Sequence, residues 1–167
     1  TIPFDFSIQG EYSYKQGQPL QIDDVELLLA GLGAPSQINP NAGATLGGQY
    51  LRGWRRKDVS QADVSLTRLF GPSTWMRSEQ TLLVAEAAIT HVHDLESQGV
   101  LRYEGPATFT PGDAATAASQ GVPQQVAGYA TATSYGYKVL LRNDYNNVFN
   151  LINLKPTLRW EQDLHGI

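Results

Sequence analysis

Hydrophobic and polar positions alternate along this chain. Phe4, Phe6, Ile8, Tyr12 and Tyr14 share one parity, while Asp5, Ser7, Gln9, Glu11 and Ser13 share the other. Side chains on a strand point to opposite faces with a period of two, so the run predicts a strand with one apolar and one wet face. It is longer than the ~5–6 residues of an ordinary soluble strand and matches the ~9–11 of a tilted membrane-crossing one. Four more segments predict strands in the same way. In 60–70, Ala62, Val64, Leu66 and Phe70 oppose Gln61, Asp63, Ser65 and Thr67, with Arg68 the misfit. In 80–92, Leu83, Ala85, Ala87 and Ile89 oppose Gln80, Glu86 and Thr90. In 129–142, Tyr135, Tyr137, Val139 and Leu141 oppose Ser134, Gly136, Lys138 and Arg142. In 150–163, Ile152, Leu154, Leu158 and Trp160 oppose Asn153, Lys155, Thr157, Arg159, Glu161 and Asp163. Pro156 lacks the N–H of a ladder bond, so this last strand either bulges there or ends at Leu154 and restarts at Thr157.

The links between these segments run long, short, long, short. Outer-membrane barrels have that rhythm, with long outer loops and short periplasmic turns. The first long link predicts one helix. Asp23 or Asp24 caps it, Val25, Leu28, Leu29 and Leu32 form its apolar stripe, and Gly31 or Gly33 ends it. Such a helix either folds its loop onto a barrel rim or acts as a plug or gate. Gly71-Pro72-Ser73-Thr74 is the first short link and Asn143 to Asn147 the second. Tyr50 to Lys57 and Val100 to Phe109 are places where further strands would fit.

Composition agrees with an interleaved β protein. The hydrophobic fraction is 41% and the charged fraction 17%, the latter below the ~25% of ordinary soluble domains. The net charge of −4 gives no electrostatic case for nucleic acid. The chain has no cysteine, which excludes disulfides and thiolate chemistry. No run of ~20 apolar residues is present, so a membrane-spanning helix is excluded, whereas strands with interleaved apolar residues are not.

Several stretches carry a family likeness. Gly10-Glu11-Tyr12-Ser13-Tyr14 followed by Gln18-Pro19-Leu20-Gln21, then Asp58-Val59-Ser60-Gln61, Leu69-Phe70-Gly71-Pro72 and Thr90-His91-Val92-His93 resemble motifs of a large proteobacterial family. So do Leu101-Arg102-Tyr103-Glu104-Gly105-Pro106 and the closing Leu154-Lys155-Pro156, Trp160 and Gln162 to Gly166. The family is catalogued as domain of unknown function thirteen-oh-two and is common in Pseudomonas and its relatives. The resemblance implies an exported outer-membrane β-barrel and a role in moving hydrophobic molecules or lipids across the envelope, beside inner-membrane transporter partners. Gln162 stands where the family has His, and no catalytic residue carries over.

On this reading the charged parity faces a lumen: Glu11, Asp63, Glu86, Lys138, Arg142, Lys155, Arg159 and Glu161. Phe4, Phe6, Tyr12, Tyr14, Tyr135, Tyr137 and Trp160 are candidates for the aromatic girdle facing lipid. Trp54, Arg55, Arg56 and Lys57 suit contact with lipopolysaccharide phosphates, or else form a solvated rim. His91, His93 and Asp94 have metal-ligand spacing but lack a further ligand nearby, so no metal and no cofactor is expected. Ser73, Ser78 and Ser134 cannot be placed beside a histidine from sequence, and no nucleophile-elbow motif is present. Leu29 to Gly33 lacks the strand and third glycine of a dinucleotide site.

The expectation is therefore an all-β fold, an antiparallel transmembrane β-barrel with long outer loops and one short helix, in the bacterial outer membrane. Residues 1–167 are expected to be one segment of a larger barrel, because five strands are fewer than the even eight or more that close one. Its expected partners are outer-membrane lipid and lipopolysaccharide, small hydrophobic cargo and envelope transporters, with transport passive and no enzyme activity. Two rivals stand beside it. An outer-membrane hydrolase needs a Ser or Asp paired with His91, His93 or His165, and a soluble β-sandwich needs the strand aromatics gathered into one core.

Overall fold

The structure is a computed structural model that describes residues 6–40, 46, 48–73 and 76–166; Phe4 lies outside them. The strands are β1 (Phe6–Gln21), β2 (Trp54–Phe70), β3 (Gln80–Val92), β4 (Thr133–Val148), β5 (Ile152–Leu154) and β6 (Thr157–His165), and the helices α1 (Asp24–Gly31) and α2 (Ala114–Gln120). All six strands form one antiparallel sheet in the order β1-β2-β3-β4-β5, with β6 also on β4. The sheet is open, so these strands do not close a barrel by themselves.

β3 coincides with its alternating segment, whereas β1, β2 and β4 outrun theirs. Lys15 to Gln18 carry no alternation, yet β1 continues because β2 side chains bond its backbone. Asp58 Oδ1 accepts the Gly17 N–H at 2.8 Å, and Arg56 donates to the Gly17 carbonyl at 2.8 Å. Gly17 has φ of +65°, a left-handed conformation that glycine adopts without a Cβ penalty. Of the Tyr50 to Lys57 stretch, only Trp54 to Lys57 is strand, as the start of β2.

The polar run Asn143 to Asn147 is not a turn. It prolongs β4, because Asp144 accepts the Glu79 N–H at 3.0 Å and Asn143 accepts the Thr81 hydroxyl at 2.6 Å. Reversal comes between Val148 and Ile152, where Phe149 and Asn150 have φ of +53° and +63°. Of the two forms open to the last strand, the structure has the divided one, broken at Lys155-Pro156. The Asn143 N–H still reaches the Pro156 carbonyl at 3.1 Å, but proline has no N–H to return.

The chain divides into two compact units, one of Thr1–Ser13, Ser60–Thr90 and Ser134–His165, the other of Tyr14–Val59, His91–Thr133 and Gly166–Ile167. In the first, the β4–β6 register pairs Val139 with Trp160 and Leu141 with Leu158, while Lys138 faces Glu161 and Arg142 faces Thr157. Directly opposed residues share a face, so the two parities are kept apart across the ladder; Leu140 opposite Arg159 is the exception. Among the described residues the buried hydrophobics are Ile22, Leu29, Ala30, Leu101, Tyr103, Ala117 and Tyr129, and every one lies in the second unit.

That second core joins the two long connections. Ile22, Leu101 and Tyr103 pack together with Leu20, Leu27, Ile38 and Leu95 around them. Backbone bonds from Asp23 N–H to Arg102 O (3.0 Å) and from Glu104 N–H to Gln21 O (3.1 Å) flank a bridge between Ile22 and Tyr103. The 100–109 stretch therefore forms a bridge and turns, not a strand. Helix α1 arises where the sequence places it but buries another face. Glu26, Leu29 and Ala30 point inward, whereas Leu28 and Leu32 are exposed. An ion pair on Glu26 turns that side of the helix toward the core. Helix α2, which its Ala/Thr/Gln composition leaves unmarked, is capped by Asp113, whose side chain accepts the Thr116 N–H at 2.8 Å and is held below the usual carboxylate range by it.

A Cβ on Gly105 would lie 1.8 Å from the Gly128 carbonyl oxygen. Gly105→Ala is therefore expected to lower stability by about 1–3 kcal/mol in urea unfolding, whereas Gly99→Ala, with nothing within 4 Å, leaves it unchanged or slightly raised. Asp113→Ala is expected to cost about 1 kcal/mol at neutral pH. Because the folded carboxyl is the stronger acid, its contribution is full above the unfolded value and is lost as pH falls through the folded one. Wild type and variant should converge in strong acid.

Candidate functional site

Two groups of residues have functional geometry, one on the strands of the first unit and one inside the second. On the strands, Lys138 lies 3.9 Å from Glu86 on β3 and opposite Glu161 on β6, and Glu161 is ion-paired with Arg159. Glu86, Lys138, Glu161 and Arg159 thus form a ladder of alternating sign across three strands, all partly exposed. Arg142 pairs along its own strand with Asp144 at 3.2 Å. Glu11, Asp63 and Lys155 join none of the ion pairs among the described residues. A groove of about 220 Å³ runs over β2, β3 and β4, lined by Val64, Leu66, Ala85, Ala87, Tyr137 and Val139 together with Glu86 and Lys138 of the ladder.

Among the described residues, the aromatics proposed for the girdle are surface residues, apart from half-buried Tyr137. Trp160 is 58% exposed, Tyr12 67% and Tyr135 43%; Phe6 and Tyr14 are exposed too. Tyr135 stacks on His165 with ring centroids 5.6 Å apart. His91 accepts or donates at Thr133 Oγ1 over 2.8 Å and meets the His93 ring edge-on at 4.8 Å. Ser78 bonds Thr81 and Ser73 accepts the Met76 N–H, so neither is engaged with a histidine.

The basic run is tied internally. Arg52 and Arg56 both lie 5.1 Å from the Trp54 ring centroid, within cation–π range. Lys57 is ion-paired with Glu96 at 2.9 Å, and Arg56 also donates to the Gly17 carbonyl.

The second unit holds a buried polar network that alternation and local spacing cannot show, since its members are far apart in sequence. Arg102 pairs with Glu26 at 2.9 Å, with side chains 15% and 3% exposed. It also donates to the Gly112 carbonyl at 3.2 Å and lies 5.5 Å from the Tyr129 ring centroid. Glu26 takes a second bond, from the Gln37 N–H at 2.7 Å. Tyr103 donates to Glu96 at 2.6 Å. Burial pushes the Glu96 carboxyl up, but bonds from Tyr103 and Lys57 outweigh it and bring it below its ordinary value. Burial and that same bond raise Tyr103 well above an ordinary phenol.

Asp23 stands apart within this network. Fully buried, with no hydrogen bond of normal geometry to either carboxylate oxygen, it is raised to about 7 by burial and by the charges of Glu104, Glu26 and Asp24, against a weaker pull from the nearby Glu26 N–H. Tyr129, 2% exposed and also without a partner for its hydroxyl, is pushed up to about 12 by burial and by the Asp23 charge. The one sequence signal that reaches this network is the Leu101 to Pro106 motif, which supplies Arg102, Tyr103 and Glu104.

Removing one partner of a buried pair leaves an uncompensated charge. Arg102→Met is expected to cost about 3–5 kcal/mol in urea unfolding. Adding Glu26→Gln, which can still accept the Gln37 N–H, should recover more than half of that loss. Additive losses in the double variant would show that the pair is not coupled.

No curated protein and no solved structure matches this chain. The family model described as a protein of unknown function, DUF1302, matches residues 1–167, the whole chain. With that match, the motifs from Gly10 to Gly166 are accounted for as one ordered set: the chain belongs to the DUF1302 family.

Proposed function

We propose that this chain forms part of the wall of an outer-membrane β-barrel that passes small apolar molecules or lipids. The observation that carries the reading is the first unit's two-faced sheet with no buried hydrophobic among its described residues. In water, a sheet face bearing Ile8, Tyr12, Val64, Ile89, Leu158 and Trp160 would leave a large apolar area uncovered, at ~25 cal/mol for each Å². Lipid removes that penalty. The opposite face, with Glu86, Lys138, Glu161 and Arg159, suits a wet lumen whose mixed signs pair instead of selecting one ion sign. Strands of 16, 17, 13 and 16 residues are long enough to cross when tilted. The open edges at β1 and at β5 and β6 would be completed by further strands, since unpaired backbone is costly in lipid. Transport is passive on this reading, and the basic run from Trp54 to Lys57 is the stretch offered to lipopolysaccharide.

The protein should stay with outer-membrane vesicles through an alkaline wash and require detergent for release. Recovery in the aqueous phase without detergent would sink the membrane reading. Within it, Leu158→Arg should cost about 2–4 kcal/mol of folding stability in vesicles, while Lys138→Gln changes it little. Cells lacking the protein should take up apolar compounds more slowly; unchanged uptake across a broad panel counts against the cargo.

A further inference from the structure

The buried polar network contains one group of carboxylates that its cations do not neutralise. Asp23, Asp24 and Glu104 each place a carboxylate oxygen within 4.8 Å of the others. Arg102, the guanidinium of this network, is committed to Glu26 and the Gly112 carbonyl. We propose that Asp23, Asp24 and Glu104 bind a hard divalent cation of the calcium type, held between the two long connections of the chain.

Spacing gives the first argument. Calcium takes oxygen ligands at about 2.3–2.6 Å, so two of its ligands can be at most about 4.6–5.2 Å apart. Three oxygens within 4.8 Å of one another therefore lie in the range that one coordination sphere spans. The donor set is oxygen only, as hard cations prefer.

The second argument is independent of the clustering of charge. Asp23 is 0% exposed, and neither of its oxygens has a hydrogen bond of normal geometry. It occupies the N-cap of α1 without capping through its side chain, although that is the usual task of Asp there. The helix is served instead by Glu104, whose Oε2 accepts the Asp24 N–H at 2.9 Å. A buried carboxylate is tolerated when it is paired, protonated or bound to metal. A protonated Asp23 would carry an O–H in need of an acceptor, and its neighbours within 4.8 Å are themselves carboxylates. One proton would also leave the charges of Asp24 and Glu104 facing each other. A divalent cation satisfies all three carboxylates at once.

The remaining side chains suit that role. Glu104 Oε2 is oriented by the Asp24 N–H, Oε1 shares the Thr108 hydroxyl with the Gly105 carbonyl, and both oxygens still have lone pairs to offer. Asp24 is exposed, which gives the ion a path in and leaves room for water to complete the shell.

The test uses the full chain stripped with a chelator, then titrated with Ca²⁺, Mg²⁺ or Tb³⁺. Ca²⁺ should raise the thermal midpoint above its value in chelator, as any ligand of the folded state does. Tb³⁺ should show luminescence excited through tyrosine and quenched by competing Ca²⁺. Asp23→Asn should fold in chelator with a midpoint no lower than wild type, since it removes an unpaired buried carboxylate. It should lose at least roughly tenfold in Ca²⁺ affinity, because affinity in such sites follows the charge count of the ligands. Glu104→Gln should weaken binding likewise. Identical wild-type midpoints in Ca²⁺, Mg²⁺ and chelator, with no sensitised Tb³⁺ emission, would overturn the proposal in favour of a protonated or hydrated Asp23. A Ca²⁺ shift that persists undiminished in Asp23→Asn would also overturn it, by locating the ion elsewhere.

Discussion

A strand cannot choose which of its residues share a face, and this fold follows from that restriction more than from any single bond. Once Trp160 is opposite Val139, the period of two places Glu161 opposite Lys138 and Leu158 opposite Leu141. A slip of one residue would exchange the faces and bring Trp160 among the charges. The side chains of the two parities thus hold the register between them: apolar groups by their affinity for one environment, charged groups by pairing within the other. The Glu86–Lys138–Glu161–Arg159 ladder is individually weak, since exposed ion pairs contribute at most ~1 kcal/mol. It adds to the register mark, because the observed alignment sets Lys138 between Glu86 and Glu161.

The second unit obeys different rules. Its two long connections have no periodic pattern, and their order comes from one small apolar core and a set of buried polar contacts. Ile22 and Tyr103 bridge the connections, and Arg102 reaches back to Glu26 across 76 residues. Such contacts are demanding, because a half-satisfied buried network is worse than an apolar one.

What the sequence makes legible divides along the same line. β3, α1 and the break at Pro156 are readable because period, capping and proline chemistry are local. The strand ends are not. Lys15 to Gln18 and Asn143 to Val148 look like loops by composition, and become strand only because Asp58, Arg56, Glu79 and Thr81 bond them from neighbouring strands. The face of α1 is misread for a related reason. Val25, Leu28, Leu29 and Leu32 form the better apolar stripe, but a buried ion pair on Glu26 outweighs two exposed leucines. The charged strand residues were visible as a set, though Glu11, Asp63 and Lys155 do not join the ladder. The carboxylates of Asp23 and Glu104 were not visible, because nothing in the chain between them announces that they meet.

Pro156 has a consequence for how the last strands assemble. β5 and β6 both pair with β4, on either side of a residue that accepts one bond and cannot return its mate. The rung at Pro156 is half-made, yet the alignment passes through it unchanged: Tyr145 with Leu154, Asn143 with Pro156 and Arg142 with Thr157 are positions of one register. The irregularity of the return lies nearer the turn, between Tyr145 and Val148. The proline thus interrupts the bonding of the returning chain without shifting its faces, and Trp160 stays in step with Leu154.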